Sequence, residues 1–264
     1  MSAPGFSVPG LGAIRTIGQV FQLGITVLGY LIRRPHKFQF GEFVEQFWFI
    51  ASVTILPASL VAVPFGAVTS LQVGSLIQQL GAESFTGAAS VLVIIQQASP
   101  IVVALLVSGV AGSAMCADMG SRTIREEIDA MMVLGVSPIE RLVVPRVVAC
   151  MAVAFLLNGL VSVVGVGAGY VFNVFMQDGT PGAYLSSFSA LAQLPDLYVG
   201  ELKAVIFGFI AGVVASYLGL NPGKGPKGVG DAVNQSVVFA FLVLFVVNMI
   251  LTGIYLQVVP PKGG

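Results

Sequence analysis

Residues 147–176 read VVACMAVAFLLNGLVSVVGVGAGYVFNVFM, 30 positions without one charged side chain. A helix rises about 1.5 Å per residue and a bilayer's hydrocarbon core is about 30 Å thick, so about 20 apolar residues cross it and this stretch has turns to spare. A charge at the centre of such a span costs about 2.5 kcal/mol or more, which makes uncharged runs the ruler for the rest of the chain. Glu45 and Glu83 enclose 37 uncharged residues, Glu83 and Asp118 34, Arg146 and Asp178 31, Lys203 and Lys224 20, and Asp231 and Lys262 30. Five runs predict five spans, at about 47–70, 91–113, 147–176, 202–220 and 237–258.

Composition agrees. Only 9% of the 264 residues are charged and 56% are hydrophobic, whereas a soluble domain carries about 25% charge. So few charges cannot cover a soluble fold. Net charge is zero, with 12 Lys and Arg, so no basic field argues for nucleic acid. Residues 1–10 are uncharged with two prolines, and no basic segment precedes an apolar one as a secretory signal requires. The chain is expected to enter the membrane through its own helices.

The first run exceeds one span and falls short of two, so residues 71–80 are expected at the outer surface. Pro57 and Pro64 interrupt the first span and are expected to kink it. Upstream, Arg15, Gln19 and Gln22 recur along one side of residues 11–32, opposite Ile14, Gly18, Phe21 and Ile25. That periodicity predicts a helix lying in the membrane interface rather than crossing it.

Basic residues orient the chain. Arg15, Arg33, Arg34, Lys37, Arg122, Arg125, Arg141, Arg146, Lys224 and Lys227 all fall on one side of the five spans, leaving Lys203 and Lys262 for the other. The ten mark the cytoplasm, so the N-terminus is inside and the C-terminus outside. His36, the lone histidine, sits among Arg33, Arg34 and Lys37 and reads as headgroup-facing. Cys116 and Cys150 lack metal-site spacing and read as packing residues. With one His and no acidic cluster in an apolar run, no metal site is expected. Gly165 with Gly169 and Gly208 with Gly212 form GxxxG pairs that permit close helix approach. Gly223 to Gly228 (GKGPKG) lacks Walker spacing and reads as a tight turn.

Residues 118–146 hold nine of the 24 charged residues, too many for a mere connector. Thr123-Ile124-Arg125-Glu126 fits a capping box, Ile124, Ile128, Met131 and Met132 fit one apolar face, and Gly135 before Ser137-Pro138 fits a stop. The pattern predicts one short amphipathic helix over about 122–134, its acidic face built from Glu126, Glu127 and Asp129 beside Arg122 and Arg125. Pumps, channels and secondary transporters place ionisable groups inside the bilayer. The five spans read as free of such groups, so uphill work would need energy delivered from outside the membrane, through this helix.

At this loop the sequence resembles the MlaE/YrbE family, permeases of ABC transporters that act on lipids with MCE proteins. The resemblance rests on Ser99-Pro100 with Ala104-Leu105-Leu106, Gly112-Ser113-Ala114, Asp118-Met119-Gly120, Glu126 to Ala130, Pro138 and Pro145-Arg146. Phe65-Gly66, Leu71-Gln72, Lys203, Phe207-Gly208, Gly228-Val229-Gly230 and Leu251-Thr252 match outside it, so coverage is about 41–258. The resemblance implies an all-α integral membrane protein: an N-terminal region 1–40 with the interfacial helix, a permease domain 41–258 with five transmembrane helices, and an external tail 259–264. It implies that Arg122, Arg125, Glu126, Glu127, Ile128, Asp129 and Met132 form a coupling helix that docks on a cytoplasmic ATPase dimer. ATP and Mg would be used there; this chain is expected to bind no cofactor and to do no covalent chemistry.

Three departures remove charge. Gln96-Gln97 stand where relatives often carry Arg-Glu, Val110 or Ala111 where they carry Arg, and Asn248 where they carry Asp. The resemblance then implies a heterodimer with a homologous second permease, as in actinobacterial Mce systems, topped outside by a hexameric MCE assembly. A lipid cavity between the permeases is expected to be lined by Pro57, Pro64, Phe65, Gln97, Asn248 and Thr252. The cargo class spans fatty acid, mycolic acid, sterol and phospholipid. The rival readings are a membrane anchor for an MCE assembly without its own transport path, and an integral membrane lipid-modifying enzyme.

Overall fold

The expected spans form helices longer than the charge-free runs that predict them. The computed structural model of the chain describes residues 9–33, 38–81, 86–177, 179–191 and 194–258. In order these are α1 (Pro9–Arg33), α2 (Phe40–Gln79), α3 (Thr86–Val93), α4 (Ser99–Leu106), α5 (Gly112–Ile124), α6 (Glu127–Val133), α7 (Val144–Met176), α8 (Pro181–Leu191), α9 (Leu194–Leu220) and α10 (Gly225–Val258). Five helical stretches among the described residues are long and apolar enough to cross a membrane: Phe40–Ile77, Gly87–Ile124, Ile139–Met176, Leu194–Leu220 and Gly225–Tyr255. Residues 71–79 continue α2 as helix, and Pro57 and Pro64 sit inside it without ending it. His36, Lys37 and the tail 259–264 lie outside the described residues.

The second span is one rod with two widened turns, π-helical at Ile94–Ala98 and Val107–Ala111. The first has a chemical cause. Pro100 carries no N–H and its ring crowds the carbonyl four residues back, so the helix opens and Ser99 N–H reaches Ile94 O instead. The third π-helical segment, Ile139–Val143, precedes Pro145 in the same way.

α7 and α9 form the middle of the bundle, α7 packing on α2 and α9 on α5, α7 and α10. Glycines set both crossings. A Cβ on Gly66 would overlap the Gly165 carbonyl, while Gly208 and Gly212 lie against Cys150 O and Val147 Cα, where a Cβ would come within 2.7 and 3.2 Å. Both GxxxG pairs therefore mark close helix contacts. Cys116 and Cys150 are free, buried residues of this core, and Cys150 Sγ lies 3.1 Å from Met115 Sδ.

The bundle is buried unevenly. In the most apolar window of each span, 67% of α9 is buried but 28% of α2 and 11% of α10. Among the described residues α2 and α10 share no packing seam with each other, and each presents a greasy face.

α1 packs its Leu23 and Val27 side into a second core with Val143, Val147 and Val213, and Gln19 Oε1 accepts from Tyr217 OH at 2.6 Å. Ile17, Phe21, Ile25, Leu28 and Ile32 form an exposed stripe on another face of α1. The N-terminal helix is present as α1, with one apolar face on the protein and one facing outward.

Candidate functional site

Two places gather the residues that the sequence singles out. The first is the loop between the second and third spans, and here the predicted single helix over 122–134 is corrected. Span two runs on as α5 through Ile124, and Thr123, expected to cap a new helix, donates instead to Met119 O at 2.9 Å and Gly219 O at 3.1 Å. The chain breaks at Glu126, whose φ of +63° is left-handed. Only Glu127–Val133 forms α6. Its end follows the prediction: Gly135 takes φ +75°, with Val136 N–H bonded to Met131 O at 2.9 Å and Gly135 N–H to Met132 O at 3.0 Å, a Schellman closure.

The predicted residues therefore divide. Arg122 belongs to α5 and pairs with Asp118 at 3.3 Å, while Arg125 caps α5 and pairs with Glu127 at 2.8 Å. Glu126, Glu127 and Asp129 are exposed. Ile128 is buried and seats α6 on the bundle; Met132, expected to share that task, is 54% exposed beside Val133 and Leu134, which are more exposed still. α6 thus offers an acidic face and an apolar tip. Asp118 and Arg146, read from the sequence as loop residues, sit in α5 and α7.

The second place overturns the reading of charge-free spans. α9 begins at Leu194, eight residues before its expected start, and brings Asp196, Glu201 and Lys203 into the bundle. Lys203, read as an external cation, is 2% exposed and Asp196 is 5% exposed. Lys203 Nζ donates to Gln96 O at 3.1 Å and to Thr252 Oγ1 at 2.9 Å. Asp196 Oδ1 accepts from Gln96 Nε2 at 2.8 Å and from the Tyr255 hydroxyl. Gln97 Nε2 reaches Thr252 Oγ1 at 3.4 Å, and Thr252 in turn donates to Asn248 O at 2.7 Å. One layer inward, Ser99 Oγ donates to Asn158 Oδ1 at 2.8 Å and accepts from Ser162 Oγ at 2.9 Å.

Three of the six expected cavity residues, Gln97, Asn248 and Thr252, thereby meet in one half-buried polar cluster. Pro57, Pro64 and Phe65 lie on α2, and among the described residues no packing seam joins α2 to α10. The signal for Asp196 was available: it recurs seven residues before Lys203, two helical turns on one face.

The sequence profile described as Permease MlaE matches residues 43–254, the five spans and both sites. This chain belongs to the MlaE permease family. Relatives of the MlaE permease include proteins described as "Probable ABC transporter permease protein" from Rickettsia bellii, 29% identical over 92% of this chain and 93% of that one, and from Synechocystis, 30% identical over 81% of each. A protein of the same description from Pyropia yezoensis is 28% identical over 82% of each chain. As an MlaE-family member, the chain is a multi-pass membrane permease.

Proposed function

We propose that this chain is the membrane subunit of an ATP-driven lipid transporter, and that α6 is where an ATPase takes hold of it. The observation that carries the reading is α6 itself: seven helical residues between two spans, seated by Ile128, with Glu126, Glu127, Asp129 and the Met132 tip all facing outward. A connector has no need of such a surface. The ABC-permease description of the relatives supports the same reading. ATP and Mg belong to the ATPase pair, and this chain binds neither.

The lipid path lies between this chain and a second, homologous permease, with the poorly buried faces of α2 and α10 toward it. Gln97 and Asn248 are half-buried neutral amides of the Lys203 cluster, and a partner chain with charged groups there completes the cluster by hydrogen bonds where two charged copies would repel. An MCE hexamer on the external side delivers or receives the lipid. The N-terminus and the α6 loop are cytoplasmic in the cell membrane, because ten of the 12 basic residues lie on that side of the spans.

The test is the double reversal Glu126→Lys with Asp129→Lys. Both residues are exposed, and surface changes seldom cost more than about 0.5 kcal/mol. The variant is expected to fold and insert while losing both ATPase copurification and lipid transfer. Normal transfer in a folded double variant rejects the docking assignment, and ATPase binding without any lipid transfer in the wild type favours the anchor reading.

A further inference from the structure

Arg146 heads the fully buried side chains among the described residues, ahead of every apolar one in size, and the reading above gives it no task. Its Nη2 lies 2.7 Å from Asp118 Oδ2 and 3.1 Å from Glu42 Oε1. Asp118 Oδ1 also holds Arg122 Nε at 3.3 Å. Glu42 opens α2, Asp118 lies one and a half turns before the end of α5, and Arg146 opens α7. One guanidinium therefore ties three spans at a single level, at the base of the loop that carries α6.

The loop between Asp118 and Arg146 contains two compliant points, the left-handed Glu126 and the π-helical segment Ile139–Val143. A displacement of α6 would be absorbed at those points if the two legs of the loop were free to spread. The Asp118–Arg146 bond closes the loop and prevents that, and Glu42 extends the tie to α2, which packs along α7. Arg146 also has something in reserve. Its Nε and Nη1 find no partner among the described residues, although a guanidinium is a planar fork suited to grip one carboxylate with two nitrogens. Two carboxylates now share one nitrogen, so a small rotation that gives the full fork to either is a second arrangement of the same groups. Buried donors left unpaired raise the energy of the arrangement seen here, which favours such an exchange.

We propose that Glu42, Asp118 and Arg146 form a clasp that converts movement of α6 into movement of α2, with Arg146 as the positioning residue and its two carboxylates as alternative seats. The proposal rests on the reading of α6 as an ATPase docking site, and its test separates the two.

Nitroxide labels on Glu45→Cys and Asp129→Cys, both exposed positions, in a chain carrying Cys116→Ala and Cys150→Ala report the distance from α2 to α6 without any ATPase. A narrow distribution is expected for the wild-type clasp, broadened by Asp118→Asn and kept narrow by Asp118→Glu; identical distributions in all three overturn the clasp. In the complete transporter, Asp118→Asn and Glu42→Gln are expected to retain ATPase copurification and ATP turnover while lipid moved per ATP falls about tenfold, within the usual range of coupling between sites. Glu42 sits at the rim, its side chain 22% exposed, so it reports even if Asp118→Asn does not fold. An unchanged lipid-to-ATP ratio in Glu42→Gln, or a loss in Asp118→Glu as deep as in Asp118→Asn, overturns the proposal. If no ATPase binds the wild type, the docking reading fails and the label distances still decide the clasp.

Discussion

Lys203 Nζ lies 3.1 Å from the backbone oxygen of Gln96, the acceptor that Pro100 leaves open four residues on. A proline in one span thus creates the vacancy that a buried lysine in another fills. This relationship predicts a thermodynamic cycle. Lys203→Met alone strands the Gln96 carbonyl and should lower stability by about 1–3 kcal/mol. In a Pro100→Ala background the restored N–H can take that carbonyl, and the same change should cost measurably less. Thermal unfolding of the four variants in detergent checks it, and additive effects would contradict the link.

Helix contact at Gly66 predicts a sharp contrast among glycines. A Cβ there would run into Gly165 O, whereas one on Gly167 or Gly18 would meet nothing within 4 Å. Gly66→Ala must push α2 off α7 and should cost about 1–3 kcal/mol. Gly167→Ala and Gly18→Ala should be neutral or gain up to about 1 kcal/mol from helix propensity. The yield of monodisperse protein after graded heating ranks the three. Equal behaviour would mean that the close approach is absent.

The break between α5 and α6 predicts another. Glu126 holds a φ of +63°, a conformation that costs a residue with a Cβ about 1–2 kcal/mol and glycine nothing comparable. Glu126→Gly should therefore be tolerated or stabilising, and Glu126→Ile destabilising, although both remove the same charge. A melting series over the two variants reads this directly. If Ile is as well tolerated as Gly, the left-handed turn is not present in solution.

Much of the bundle was legible in the sequence because the cost of burying charge is steep and local. Five uncharged runs became five spans, Gly135 closed α6, and both GxxxG pairs fell at crossings. That same ruler hid Asp196 and Lys203, since a ruler that stops at charges cannot find charges satisfied inside a bundle. Their partners, Gln96 O, Thr252 and Tyr255, stand about 50 to 110 positions from Lys203 along the chain, beyond any periodicity. The capping-box pattern at Thr123 misled for a related reason. Its residues suit a helix start in isolation, but the preceding span continues through them, held by the Thr123 bond to Gly219 O. α8, at 11 residues, is too short to leave a span-length signal.

Topology gives a prediction with a yes-or-no answer. Single cysteines at Lys224, in the turn between α9 and α10, and at Gly182, at the start of α8, should be labelled from opposite sides of the membrane, Lys224 from the cytoplasm. Labelling of both from one side would put an even number of crossings between them and break the five-span arrangement.

The most direct test of the central claim is native mass spectrometry of the complex drawn from membranes through a tag on this chain. The account predicts one tagged chain with one homologous permease, two ATPase subunits and bound lipid. Two tagged copies would show that Gln97 and Asn248 need no charged partner and would end the heterodimer argument. The tagged chain with neither ATPase nor lipid would contradict the claim that it is the membrane subunit of an ATP-driven lipid transporter.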